Sequence, residues 1–233
     1  MKLKPFSEIN KRVLAGVILA PLTLVLIWLG GGFFMTFMLA ALIVSLSELY
    51  RLCMAAPHPA LNFTAGMIYL CVSFLSYVVI RMGFDQGAWL ATCAMLGVWA
   101  SDTGAFAVGK TLKGPKLAPV ISPNKTWAGL AGAVVFFGLA FLLLLYGGPH
   151  LKFLVDTKLT LRFENDAWKV FSLGCFLGAV GQAGDLLKSR YKRRAGVKNS
   201  GALIPGHGGI LDRIDALLLV APVFLIVLLV WTS

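Results

Sequence analysis

The stretch GDLLKSRYKRRAGVKNSGALIPGHGGILDRID, residues 184–215, lies between two strongly apolar segments, 168–187 and 214–231. Its polar content consists of three carboxylates, a basic run and a glycine-rich turn: Asp185, Asp212 and Asp215, then 188–198, then 206–209. Hard oxygen ligands beside basic groups are what a metal ion with bound phosphates requires. The pattern predicts two membrane helices with a polar site where lipid meets water.

The composition is that of an integral membrane protein. Hydrophobic residues make up 58% and charged residues only 13% of the chain, whereas soluble domains have about half and about a quarter. The net charge of +11 then indicates anionic lipid headgroups and phosphorylated substrates rather than nucleic acid. The cysteines show no paired spacing, which argues against a disulfide framework or a zinc site.

Apolar runs of about 20 residues, long enough to cross a bilayer, occur throughout the chain. They predict an all-α, polytopic transmembrane bundle of about seven spans in a single domain, 1–233, with spans at 13–29, 33–50, 62–80, 87–108, 127–146, 168–187 and 214–231. With these spans, most of the 21 basic residues lie on the same side of the membrane as the amino terminus. The positive-inside rule therefore predicts a cytoplasmic amino terminus and a cytoplasmic 184–215 stretch.

A carboxylate inside the fourth apolar run is the first of two further polar features. Asp102 lies about 10 Å from the helix end at 1.5 Å per residue, where an unpaired charge is costly. We expect it to line a cavity open to the cytoplasm and to meet substrate or a cation. A hydrogen bond or ion pair that fixes helix packing is the alternative.

The second is the basic segment GKTLKGPKLAPVISPNKTW, residues 109–127, interpreted as a loop. Ser122, Lys125 and Thr126 offer hydroxyls, a cation and backbone N–H groups to a phosphate at the start of the next helix. The segment has no Walker A pattern. A solvated basic loop is the alternative.

The carboxylates of the 184–215 stretch are interpreted as magnesium ligands, with Asp185 and Asp212 on the metal and Asp215 in support. Asp212 as a helix N-cap, and Asp215 paired with Arg213 or a lysine, are the alternatives. His207 is a candidate phosphate contact or proton carrier, or else a structural turn residue.

These residues resemble the signature of the phosphatidate cytidylyltransferases. The matching positions are Ser189, Lys192, Arg193, Lys198, Pro205, His207, Gly208, Gly209, Asp212, Arg213 and Asp215, supported by SDTGAFAVGK at 101–110 and ISPNKTWAG at 121–129. The resemblance covers roughly 95–225, interpreted as the catalytic region, whereas helices 1–60 match poorly, with Arg12 and Glu48 as family-like polar positions. Two positions depart from the family pattern: Lys188 and Asn199 stand where acidic residues are usual.

The resemblance implies transfer of a cytidylyl group from CTP to phosphatidate, giving CDP-diacylglycerol and pyrophosphate. It implies Mg²⁺ as cofactor, with a second, monovalent cation left open, and a homodimer in a bacterial plasma (inner) membrane with its active site facing the cytoplasm. The implied catalytic residues are Asp185, Asp212, Asp215, Lys198 and His207. The implied substrate-binding residues are Asp102, Ser122, Lys125, Thr126, Ser189, Lys192, Arg193 and Arg213.

Two other classes remain open from the sequence. One is a CTP-dependent enzyme acting on an isoprenoid lipid, such as a CDP-archaeol synthase or a polyprenol kinase. The other is a transporter or an inactive partner subunit, although transporters more often show broken helices in paired repeats.

Overall fold

A computed structural model gives the positions of residues 8–146, 166–197, 200–201 and 208–232, with the backbone alone for 8–15, 146 and 232. The α-helices within these ranges are α1 (Glu8–Leu29), α2 (Gly31–Met54), α3 (Pro59–Met82), α4 (Gly87–Leu112), α5 (Trp127–Phe141), α6 (Ala167–Arg194) and α7 (Leu211–Thr232). A π-helical turn, Leu142–Tyr146, continues α5. The predicted all-α class is confirmed.

A short hairpin is the exception to the helical pattern. Strands β1 (Lys116–Ala118) and β2 (Ser122–Thr126) pair antiparallel, with Lys116 opposite Thr126 and Ala118 opposite Ser122. They lie within 109–127, which the sequence indicated as a loop. Pro123 argued against a strand in the sequence, because proline is rare inside sheets and cannot donate a hydrogen bond to a neighbouring strand.

Every predicted apolar segment lies within one of the helices, and five of the described helices are long and apolar enough to cross a membrane. These five are α2, α3, α5 with its π-helical turn, α6 and α7. Helix α1 contributes a shorter apolar helix, Gly16–Leu29, and α4 buries many of its residues inside the protein. The chain is an integral membrane protein, while the span count and the side of the amino terminus stay predictions.

The chain divides into two compact units. The first unit consists of Met1–Cys71 and Tyr191–Ile214, and the second of Val72–Arg190 and Asp215–Ser233. In the first unit, the Tyr50 ring meets Phe63 of α3 edge-on, with ring centroids 5.6 Å apart. Beside Tyr50, α2 carries a buried carboxylate, Glu48, which is 3% exposed. The predicted single-domain organisation stays a prediction.

Glycines bring the helices of the second unit close together. A Cβ added to Gly132 of α5 would lie 2.5 Å from the Gly104 carbonyl oxygen of α4, and one added to Gly104 would lie 2.6 Å from the Gly132 oxygen. Small residues of this kind let helix backbones approach in lipid, where apolar burial gives no preference for a neighbouring helix. The α4–α5 contact therefore depends on the absence of side chains at both positions.

Replacing Gly132 by alanine should destabilise the protein by about 1–3 kcal/mol, the usual cost of forcing extra atoms into a packed interface. Thermal unfolding of the detergent-solubilised protein measures the change. Gly16→Ala in α1 is the matched control, because a Cβ there meets nothing within 4 Å. Equal melting temperatures for both variants would contradict the close α4–α5 contact.

Candidate active site

Two lysine–aspartate ion pairs form a polar cluster in the second unit. Lys125 at the end of β2 places Nζ 2.7 Å from Asp185 Oδ2 of α6. Lys188, one turn further along α6, places Nζ 2.6 Å from Asp215 Oδ2 of α7. The four side chains, from 10% to 27% exposed, form with Gln182 what we name the Asp185–Asp215 cluster. The structure thus brings together two predicted carboxylates and one predicted phosphate ligand.

Polar groups of α6 complete the surroundings of Asp185. Lys125 Nζ also donates to Gln182 Oε1 at 3.0 Å, and Gln182 is only 4% exposed. The Ser189 hydroxyl lies 3.4 Å from Asp185 Oδ1. Gln182 was not predicted from the sequence, although an amide inside an apolar helix is a signal of an internal partner.

The two carboxyl groups of the cluster also interact with each other. Neighbouring carboxylates cannot both ionise cheaply unless cations offset their repulsion. Lys125 and Lys188 provide one ammonium for each carboxylate. The pairing of Asp215 with a lysine is confirmed, and it gives Lys188, a departure from the family pattern, a defined electrostatic role.

The cluster offers two carboxylates for Mg²⁺, so waters and substrate phosphates would have to supply the other ligands. Among the residues whose positions are given, no group of three or more His, Cys, Asp and Glu side chains is arranged to hold a metal. Magnesium, however, is commonly held by one or two carboxylates, with waters and substrate phosphates as its remaining ligands. Asp185 and Asp215 supply that number of carboxylates.

Asp212, the other predicted metal ligand, is surrounded by protein donors in the first unit. Its Oδ1 accepts from Lys192 Nζ at 2.9 Å. Its Oδ2 accepts from Ser200 N at 2.9 Å, Ser200 Oγ at 3.0 Å and Gly209 N at 3.1 Å. Asp212 lies inside the first turn of α7 and bonds backwards along the chain, so the N-cap alternative is wrong. Its contacts are those of a residue that fixes a loop.

Glu48 of α2 reaches the same loop. Its Oε1 accepts from Ile210 N at 2.9 Å, and its Oε2 accepts from Leu211 N and Ser200 Oγ, both at 3.0 Å. The Ser200 hydroxyl thus lies between Glu48 and Asp212, and its single hydrogen serves one carboxylate at a time. We name Glu48, Lys192, Ser200 and Asp212 the Glu48–Asp212 cluster.

The other predicted residues that the structure describes belong to neither cluster. The Thr126 hydroxyl accepts from Gly129 N at 3.0 Å and so caps α5. Ser122, at the start of β2, is half-buried, and the exposed residues are Asp102, Arg193 and Arg213. Substrate contacts by these side chains stay predictions. Lys198, Asn199 and His207 lie outside the described residues.

Comparisons with known proteins agree on one family. The profile of the Cytidylyltransferase family matches residues 55–231. The chain is 34% identical over 221 residues to a phosphatidate cytidylyltransferase of Rickettsia felis, covering 94% of this chain and 92% of the relative. A relative of the same name from Rickettsia typhi is 34% identical over 230 residues, covering 95% and 92%. One from Staphylococcus aureus is 38% identical over 164 residues, covering 68% and 58%.

Proposed function

The chain belongs to the Cytidylyltransferase family, and we propose that it transfers the cytidylyl group of CTP to phosphatidate, giving CDP-diacylglycerol and pyrophosphate. Relatives from Rickettsia felis and Rickettsia typhi named for this activity align with nearly the whole chain. The observation that carries the proposal is the Asp185–Asp215 cluster, which pairs carboxylates of helices α6 and α7 with lysines of β2 and α6. Charged groups inside membrane helices are costly and mark functional sites.

The reaction exchanges one phosphorus–oxygen bond for another. A non-ester oxygen of phosphatidate forms a bond to the α-phosphorus of CTP, and the bond from that phosphorus to the bridging oxygen breaks. Pyrophosphate leaves with the bridging oxygen and its electron pair. The attacking phosphate is already ionised near neutral pH, so catalysis depends on positioning and charge neutralisation rather than on a strong base.

The basic residues of this chain suit that requirement. Lys125 and Lys188 are held in place by carboxylates, which fixes the positions of two positive charges that can attract a phosphate. We assign phosphate contacts also to Lys192, Arg193 and Arg213, with Ser189 and the hairpin hydroxyl Ser122 in supporting roles. The sequence-based assignments of Lys198 and His207 belong to the same proposal.

Asp185 and Asp215 are the residues we assign to Mg²⁺. When bound, the metal would neutralise developing charge on the phosphate oxygens. The sequence favoured Asp212 as the second ligand, but Asp212 accepts from four protein donor groups, whereas the hydrogen bonds seen at Asp215 come from two, Lys188 Nζ and Ala216 N. Lys188 neutralises Asp215 at 2.6 Å, and the second, monovalent cation that the sequence left open stays a prediction.

The location of the reaction follows from charge and family. We propose a bacterial inner membrane with the active site facing the cytoplasm, since the predicted spans put most basic residues on one side and the relatives compared are bacterial. A homodimer and the lack of nucleic-acid binding, both expected from the sequence, belong to the same proposal.

Purified protein given CTP, Mg²⁺ and phosphatidate should release pyrophosphate and form CDP-diacylglycerol. Product analysis should be repeated with a polyprenol and with an archaeal-type isoprenoid ether phosphatidate in place of phosphatidate. Turnover confined to either isoprenoid lipid would replace the proposed substrate with that class. No turnover with any of the lipids would overturn the enzymatic proposal and favour the transporter or inactive-subunit alternative.

A metal-binding measurement tests the ligand assignment without turnover. Mn²⁺, which shares the oxygen-ligand preference of Mg²⁺, is titrated with CTP present and lipid absent and is followed by electron paramagnetic resonance. We expect Asp185→Asn and Asp215→Asn each to weaken Mn²⁺ binding at least about tenfold, since even replacing an outer-shell partner of a metal ligand lowers affinity about 10–100-fold. Unchanged binding in both variants would refute the assignment.

A further inference from the structure

We propose that Glu48 is a positioning residue for the two described ends of the stretch 200–211, which are 200–201 and 208–211, and that turnover depends on its carboxylate; this rests on the proposed function. Glu48 sits near the end of α2, a helix apolar enough to cross a membrane, and is 3% exposed. An ionisable side chain so placed is costly unless it has partners and a task. Its partners lie more than 150 residues further along the chain.

The partners lie at the two ends of that stretch. Glu48 accepts from the Ser200 hydroxyl at one end and from the backbone N–H groups of Ile210 and Leu211 at the other. The first N–H groups of a helix have no acceptor within the helix, and Ile210 and Leu211 stand at the start of α7. One carboxylate therefore satisfies the start of α7 and links it to Ser200.

Two glycines, one at each described end of the stretch, fit around this carboxylate. A Cβ added to Gly201 would lie 2.9 Å from Glu48 Oε1, and one added to Gly209 would overlap both Glu48 oxygens. Gly209 therefore lacks a side chain where Glu48 approaches the backbone. The absence of a side chain at this position of the signature has its physical cause in α2, far away in sequence.

Glu48 stands outside the part of the chain that the family profile matches, which begins at residue 55. Two predicted site residues, Asp212 and Arg213, lie in the first turn of α7, whose start Glu48 binds. A misplacement of about 1 Å away from the chemistry can lower a rate about 10²-fold. The geometry thus points to an effect on turnover rather than on folding alone.

Glu48→Ala should lower kcat about 10²-fold per folded molecule, with a smaller change in KM for CTP. Glu48→Gln keeps one accepting oxygen and should recover part of the loss. Glu48→Met keeps the volume but no acceptor and should behave like Glu48→Ala. The matched control is Ser47→Ala, because the exposed neighbouring hydroxyl donates only to Val44 O of its own helix among the hydrogen bonds seen.

Hydrogen–deuterium exchange provides a readout that does not require activity. The Ile210 amide, bonded to Glu48 at 2.9 Å, should exchange at least about tenfold faster in Glu48→Ala, as expected when a bonded amide loses its acceptor. If the wild type lacks the proposed activity, exchange still tests the anchoring by itself. Unchanged exchange at Ile210, or full turnover per folded molecule in both Glu48→Ala and Glu48→Met, would overturn the inference.

The reciprocal substitution tests the same contact from the other side. Gly209→Ala should lower turnover in the wild type because its Cβ overlaps the Glu48 carboxylate. In the Glu48→Ala background the same change should cost much less, because residues in contact have non-additive effects. Strictly additive losses would show that Gly209 is needed for a reason other than Glu48.

Discussion

Asp185→Asn is expected to lower kcat at least about 10³-fold, the scale seen when a preorganised electrostatic group is removed from an active site. Asparagine keeps the size of aspartate, so the fold should survive. The substitution removes the charge that holds Lys125 at 2.7 Å and one of the two carboxylates that we assign to Mg²⁺. Pyrophosphate release with CTP and phosphatidate, normalised to folded protein, measures the loss.

The matched control is Asp166→Asn, just before α6. Asp166 pairs with Lys169 at 3.1 Å on the same stretch of chain, and the hydrogen bond from Lys169 lowers the pKa of its carboxyl group. It belongs to neither cluster, so its variant should turn over like the wild type. Normal turnover in Asp185→Asn would remove Asp185 from the reaction, and equal losses in both variants would point to a general effect of lost charge.

The helices were predictable because a bilayer imposes a simple rule on sequence. Each span needs about 20 apolar residues, and all predicted segments lie within observed helices. The hairpin of β1 and β2 was not predictable in the same way. Its strands are short and contain proline and lysine, so their pairing depends on local geometry rather than on a hydrophobic period.

The residue types of the candidate site were also predictable, but their pairing was not. Spacing on α7 identified Asp212 and Asp215 as candidates, yet the partners Lys192 and Lys188 lie on α6. Sequence separation does not reveal which lysine meets which aspartate. Glu48 is the clearest case, since only the structure connects a carboxylate of α2 to Ile210, 162 positions later.

Asp212→Asn should lower turnover about 10³-fold, for a reason different from that of Asp185→Asn. Its two oxygens accept from Lys192, Ser200 and Gly209, and an amide replaces one acceptor by a donor. Removing one partner of a buried ion pair costs roughly 3–5 kcal/mol. Each 1.36 kcal/mol in an activation free energy corresponds to a factor of ten in rate. If this free energy is lost from the arrangement of Ser200 and Gly209 around residue 212, and turnover requires that arrangement, the rate falls by the corresponding factor.

Metal binding distinguishes a loop anchor from a metal ligand at this position. If Asp212 is a loop anchor, the Asp212→Asn variant should bind Mn²⁺ like the wild type. Its Gly209 amide, which is bonded to Asp212 at 3.1 Å in the wild type, should exchange faster. Asp215→Asn serves as the comparison, because we expect it to lose Mn²⁺ binding with little change at Gly209. The opposite pattern, with binding lost in Asp212→Asn and kept in Asp215→Asn, would restore the sequence-based pair Asp185 and Asp212. In that event the hydrogen bonds now made to Asp212 would have to yield to the metal, since one carboxylate has few lone pairs to share.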